Sequence, residues 1–254
     1  MRRLLLACAA IVAAVPPAAA WDVTGSRELG SLPGGGQVRE IEITEGGRTA
    51  RITAILFSSR SYDLRVVDSP APGQTKLSSV LALAGCVAGV NGGYFHADFR
   101  PVGLAIADSK QLHPFEKAKL LSGVLAVRGS RIEIVRSSRF QNPGDVRQAI
   151  QAGPMLVDSG APPAGLNAER AARRTVAATD GRGQWGLLYI TSVTLADAAG
   201  ILTIPELFGS WNVMHALNLD GGSSSGLWAE SSPETVVRPE LGHVRNYIGI
   251  APKP

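Results

Sequence analysis

The sequence predicts a single α+β domain whose core is a mixed, largely antiparallel sheet with a few packed helices. Three observations carry that expectation. Short apolar or alternating runs of strand period recur along the chain, and only two segments show helical period. The two kinds do not alternate in the regular way that a doubly wound parallel sheet requires. No internal repeat is visible, and no linker after residue 36 divides the chain. Its 254 residues can bury one large core.

The elements follow in order. Met1-Arg2-Arg3, an uncharged apolar run over 4–15 and Ala18-Ala19-Ala20 before Trp21 read as a secretory signal peptide over 1–20. The expected location is therefore periplasmic or secreted. Leu5-Leu6-Ala7-Cys8 loosely resembles a lipoprotein attachment site, but the apolar run before Cys8 is very short, so that alternative is set aside. Residues 21–36 are rich in Gly, Ser and Pro and read as a flexible leader, which leaves 37–254 as the domain. From 38 the pattern alternates, with Ile41 and Ile43 on one side. Runs over 50–57 and 62–67 follow after short breaks, so successive antiparallel strands are expected. Over 76–84 the period changes, with Leu77, Val80, Leu81 and Ala84 on one helical face. A short apolar strand, 86–90, ends at Asn91-Gly92-Gly93, and Cys86 within it reads as a small buried hydrophobe. Further strands are expected over 102–107, 123–127, 132–135, 154–157, 175–178 and 186–193. Thr194 to Asp197 fits a capping box opening a helix with Leu195, Ala198, Ala199 and Leu202 inward. A buried strand over 214–219 ends at Asp220-Gly221-Gly222-Ser223, and 244–250 is the last strand.

Composition removes several classes. Hydrophobic residues make up 45% of the chain and charged residues 18%, which is far from a disordered composition. The 29 glycines show no period and no heptad persists, so collagen and coiled coils are excluded. Two cysteines cannot build a disulfide scaffold or a four-thiolate metal site. The basic residues behind the +4 charge are scattered and hardly interleaved with aromatics, so no nucleic-acid partner is expected. Loss of Arg2 and Arg3 with the leader lowers that charge to +2. No apolar run is long enough to span a bilayer, so no transmembrane segment is expected.

Chemistry is expected where loops leave core strands. Two exits stand out: Asn91-Gly92-Gly93-Tyr94-Phe95-His96-Ala97-Asp98 and Asn218-Leu219-Asp220-Gly221-Gly222-Ser223-Ser224-Ser225. Each places a polar side chain at a strand end, then paired glycines. Adjacent glycines permit positive φ and let backbone amides converge on an anion. The competing reading of each is a tight hairpin turn.

These two runs occur in order with Gln151-Ala152-Gly153-Pro154 and Arg174-Thr175 between them. The set resembles the phosphodiester glycosidase family, with Asn-Leu-Asp-Gly-Gly as the most specific element, and the resemblance spans about residues 38–250. It implies an exported hydrolase that cleaves a glycosyl–phosphodiester bond, acting on cell-surface or exopolysaccharide material. The chain departs from the family pattern after the aromatic pair. An acidic residue often stands there, whereas this chain has His96, with Asp98 two residues on.

Breaking a sugar–phosphate bond at the anomeric carbon needs a carboxylate near an oxocarbenium-like centre and a cation for the departing phosphate. Asp220 is the favoured carboxylate; nucleophile, general base and charge stabiliser all remain open for it. Asp98 and His96 compete for the partner role. Arg174 is the expected phosphate clamp and Arg245 the second candidate. Gly92, Gly93, Gly221 and Gly222 would supply amides, Ser223 and Ser224 hydroxyls, and Asn91 and Asn218 contacts to sugar or turn. Tyr94, Phe95, Trp211 and Trp228 read chiefly as packing, with sugar stacking as the alternative. No cofactor is expected. A divalent cation held by His96, Asp98 and Asp220 stays open, although no His-Glu-x-x-His or EF-hand spacing occurs. Two rival functions were weighed. One is a non-catalytic carbohydrate- or cell-wall-binding module of the same fold. The other is a serine hydrolase built on Gly222-Ser223-Ser224-Ser225-Gly226 and His243, for which the following segment reads poorly as the required helix.

Overall fold

The structure is a computed structural model that describes residues 21–69, 76–142 and 144–254. The expected signal peptide and Cys8 lie outside the described residues. In chain order the strands are β1 (Asp22–Ser31), β2 (Gln37–Glu45), β3 (Arg48–Ser58), β4 (Tyr62–Asp68), β5 (Ala88–Asn91) and β6 (Ala105–Ala107). They continue with β7 (Lys110–His113), β8 (Gly123–Arg128), β9 (Arg131–Arg136), β10 (Val146–Ala152), β11 (Met155–Asp158) and β12 (Ala172–Thr179). The last are β13 (Gln184–Val193), β14 (His215–Asn218), β15 (Leu227–Ala229), β16 (Ser232–Pro233), β17 (Val236–Arg238) and β18 (Asn246–Pro252). Helix α1 (Leu77–Leu83) precedes β5, and α2 (Leu195–Leu202) follows β13.

The strands form three sheets. The largest runs β11-β14-β12-β13-β3-β2-β1-β16, the second β7-β6-β10-β8-β9 and the third β17-β15-β5-β18-β4. Every paired strand among the described residues is antiparallel. The α+β expectation holds, with sheet far outweighing helix.

Strand period decides which side chains meet. Along β13, Leu187 and Tyr189 enter a core shared by all three sheets, together with Phe57, Val66, Val90, Ile150, Leu217 and Ile248. Leu188 and Ile190 point the other way, into a second core with Ile52, Ala54 and Val176. Helix α2 covers that side with Ala198, Ala199, Ile201 and Leu202, all fully buried. Burying Ile201 and Leu202 contributes on the order of 2 kcal/mol each. The capping box at its start is formed, Thr194 and Asp197 each accepting the other's backbone amide. Cys86 is buried as expected, and burial pushes its thiol up to about 11.

One expectation is corrected. Most of 21–36 is not a loose leader, because Asp22–Ser31 pairs along β2 through two register irregularities. Trp21 packs into the second core, and its indole donates to Asp197 at 3.3 Å. The strand's Gly/Ser-rich sequence hides it, since most of its side chains are exposed and it has no apolar face to read.

Candidate active site

The two exits meet. β5 ends in the third sheet and β14 in the first, and Asn91 is the joint between them. Its side chain is fully buried. Nδ2 donates to the Asp220 carbonyl at 2.7 Å, while Oδ1 accepts from Thr175 Oγ1 at 2.6 Å and from the Gly226 amide at 3.1 Å. The Asp220 amide returns a bond to Gly92 O at 3.0 Å. Every polar atom of the Asn91 side chain is therefore spent on the fold, and its role is to hold the exits together.

Gly92 and Gly93 were expected to offer amides to an anion, and here the structure corrects the reading. Gly92 N donates to Asn246 O and Gly93 N to Asn246 Oδ1, both at 2.8 Å. The neighbouring strand β18 has taken these donors. The glycines are needed for closeness: a Cβ on Gly92 would sit 2.0 Å from Asn246 Oδ1.

Asp220 is half-buried beyond the end of β14. Its Oδ1 accepts the Gly221 amide at 2.8 Å, and Ser224, itself buried, donates to the carboxylate. Burial raises the carboxyl above its ordinary value, partly offset by those two bonds. Among the described residues no cation lies within salt-bridge distance of it.

Arg174 arrives from the adjacent strand. β12 and β14 pair as far as Val176 opposite Asn218, and the Leu219 amide donates to Thr175 O at 2.8 Å, so Arg174 lies on the strand beside the Asp220 exit. Its Nε donates to Val193 O at 3.0 Å and Nη2 to Arg170 O at 2.7 Å, so backbone carbonyls fix the guanidinium. Burial lowers its pKa and the nearby Tyr94 raises it, which puts Arg174 and Tyr94 within each other's field. Tyr94 OH donates to Gly153 O at 2.6 Å and accepts from Asn218 Nδ2 at 2.9 Å. Burial, then the Asp220 charge, pushes its phenol far above the ordinary value, so it stays protonated. Asn218 also donates to Gly153 O at 3.0 Å and to Leu219 O at 2.7 Å. The two buried side-chain polar atoms without a partner among the described residues, Asn218 Oδ1 and Ser225 Oγ, both lie in this segment. Unmet polar groups concentrate where the fold serves something besides stability.

Beyond Ser224 opens a cleft of about 580 Å³ lined by Phe95, Ala97, Asp98, Phe99, Ser223, Ser224, Gly242 and His243. Asp98 is exposed there and ion-paired with Arg100 at 2.6 Å, which holds its carboxyl below the ordinary value. It stays ionised near neutrality, which suits a base and not a proton donor. His96 is exposed on the same loop. Among the described residues no group of three His, Cys, Asp or Glu side chains gathers in metal-binding proximity. Ser223 is exposed and opens onto the cleft, and the first amides of the short 3-10 turn Gly222–Ser224 have no partner within that turn. Ser224 is followed by Ser225, Gly226 and then β15, so the helix of a serine-nucleophile elbow is absent there. Arg245 is buried and paired with Asp68, which already answers its charge.

The residues that sequence reasoning missed are Tyr94 as a hydrogen-bonding hub, Gly153 as its acceptor and Asn246 as the acceptor of both glycine amides. Thr175 entered only as half of a motif. Each acts across more than fifty residues of chain, so no local pattern points to it.

Residues 84–251 match the family described as phosphodiester glycosidase. A stretch of 78 residues is 31% identical to the uncharacterized protein YigE of Escherichia coli (strain K12), covering 28% of this chain and 31% of that one. The fold resembles the catalytic domain of zebrafish N-acetylglucosamine-1-phosphodiester alpha-N-acetylglucosaminidase, solved auto-inhibited by its pro-peptide. The TM-score is 0.61 at 15% identity, covering 90% of this chain and 88% of that one. It also resembles a hypothetical protein from Synechocystis, with TM-score 0.61, 16% identity and coverage of 85% and 62%. The chain thus spans less than two thirds of the Synechocystis protein and less than one third of the E. coli protein. Among the described residues no helix is long and apolar enough to cross a membrane.

Proposed function

Because the chain belongs to the phosphodiester glycosidase family, a family of glycosidase-type hydrolases, we propose that it hydrolyses a glycosyl–phosphodiester bond in cell-surface or exopolysaccharide material. The observation that carries this reading is that Asp220 and Arg174 stand at the same end of the paired strands β12 and β14, with the Tyr94 phenol within the field of both. One is a half-buried carboxylate without a cationic partner among the described residues; the other is a guanidinium fixed by two carbonyls. In the proposed reaction the bond between the anomeric carbon and the phosphate oxygen breaks. Asp220 supports the positive charge that develops at carbon, and water forms the new C–O bond and gives up its proton to solvent through the open cleft. The phosphate leaves with its negative charge toward Arg174, whose Nη1 makes no hydrogen bond to another described residue, and toward the amides at Gly222 and Ser223. Phosphate leaves readily as an anion, so a second carboxyl to protonate it is not required. Asp98, His96 and His243 line or flank the open side, where the sugar and the group beyond the phosphate would lie. The signal peptide read over 1–20 supports action outside the cytoplasm.

The test is a screen of sugar-1-phosphodiesters with the product anomer followed by NMR. Turnover of at least one substrate, lost on Asp220→Asn, is expected. A protein inert on all of them that still binds the sugars would instead be the non-catalytic module.

A further inference from the structure

A second polar cleft, of about 470 Å³, lies between β9 and the turn joining β12 to β13. Four arginines line it, Arg131, Arg136, Arg139 and Arg182, against two carboxylates, Glu133 and Asp158. Both carboxylates are already neutralised. Glu133 pairs with Arg128 at 2.8 Å and Arg131 at 3.6 Å. Asp158 pairs with Arg136 at 2.5 Å and lies 3.3 Å from His215 Nδ1. Asp180, the remaining acid of that turn, accepts the amides of Arg182 and Gln184 at 2.7 and 2.9 Å. Arg139 and Arg182 are left exposed, and among the described residues neither guanidinium has a carboxylate partner.

Two guanidiniums without carboxylate partners among the described residues line the same polar cleft, and each offers a planar fork of donors to an oxyanion. The lining holds no exposed aromatic ring, since its one tryptophan, Trp185, is 2% exposed. A platform for stacking bases is therefore missing, which disfavours single-stranded nucleic acid. His215 begins the strand that leads to Asp220. Five residues at about 3.3 Å each set the two regions roughly 16 Å apart along the chain.

We propose that this cleft binds a phosphate group of an anionic polysaccharide, apart from the Asp220 site, with Arg139 and Arg182 as its principal ligands. The choice of a polysaccharide rests on the proposed function, whereas the anion site itself is tested by binding without turnover. The test is calorimetric titration of the protein with phosphorylated dextran, unmodified dextran, inorganic phosphate and a single-stranded oligonucleotide of matched charge. Phosphorylated dextran should bind, and Arg139→Ala with Arg182→Ala should weaken it about tenfold or more. A control pair of equal charge loss, Lys110→Ala with Lys119→Ala, should change it less than about twofold. Neither arginine side chain is hydrogen-bonded to another described residue, so the double variant is expected to fold, which its thermal midpoint checks. Equal losses in both pairs would mean diffuse surface charge and overturn the site. No binding, tighter binding of the oligonucleotide, or free phosphate binding as tightly as the polymer would each overturn the polysaccharide assignment.

Discussion

Replacing Asp220 by Asn separates chemistry from stability. The carboxylate holds two bonds, one from the Gly221 amide and one from the Ser224 hydroxyl. An Asn carbonyl still accepts from Gly221, and its amide can donate to Ser224 Oγ, so one bond is exchanged and none is lost. The expected stability change lies within about 1 kcal/mol. Its dependence on pH is also determined. Burial raises this carboxyl above 3.8 in the folded protein, so folded protein holds the proton to higher pH than the unfolded chain does. The stability this group contributes is full below the unfolded value and is lost as pH rises through the raised folded value. Asn has no such loss, so the variant's midpoint should gain on the wild type as pH rises, and match or exceed it near neutrality. Turnover behaves oppositely. In the proposed reaction, removing the charge at the anomeric carbon should cost about a thousandfold or more, roughly 4 kcal/mol at 1.36 kcal/mol per tenfold. Thermal unfolding from about pH 4 to about pH 8, run beside turnover of a glycosyl phosphodiester, reads both. Activity within tenfold of wild type would remove Asp220 from the reaction. A stability loss above about 3 kcal/mol would make it a cap for its turn.

Other perturbations address the supporting residues. Arg174→Lys keeps the charge but loses the fork and both carbonyl contacts, so KM should rise about tenfold with a smaller fall in kcat; an unchanged KM would take Arg174 out of phosphate binding. Tyr94→Phe deletes the hydroxyl between Gly153 O and Asn218 Nδ2. Urea unfolding should show a loss of about 1–3 kcal/mol, and an unaltered midpoint would refute its role as a hub. Asn91→Ala strands Thr175 Oγ1, the Gly226 amide and the Asp220 carbonyl. At about 1 kcal/mol for each orphaned group the cost is about 3 kcal/mol or more; denaturant unfolding that shows less than about 1 kcal/mol would mean the exits are held by something else.

How legible all this is in the sequence depends on whether a residue's role is local. The capping box of α2 and the apolar stripe of α1 lie within one or two turns, and both are present as read. Strand β10 was missed because its buried positions include Gln148 and Gln151, whose side chains serve remote backbone amides at Val66 and Leu104. Strand β1 was missed for the opposite reason, having too few buried side chains to alternate. In the site, Asp220 and Arg174 were readable as residue types at strand ends, and the pairing of β12 with β14 brings them to one edge. The glycine amides were misassigned because their acceptor, Asn246, is 153 residues from Gly93. Arg245 was a charge beside the correct strand, but Asp68 opposite β18 claims it.

The loop over 94–101 has its two ends drawn together by the Phe95–Pro101 bridge and by the bond from the Val102 amide to Tyr94 O. Among the described residues, none of the bonds that hold Asp220 passes through its tip at His96–Arg100. That tip can therefore be exchanged for another of different length without disturbing the carboxylate. If the proposed function holds, such a division lets one frame be refitted to new substrates by replacing a single short cassette, and loop-swapped chimeras should change which substrate is accepted while keeping the frame's melting behaviour.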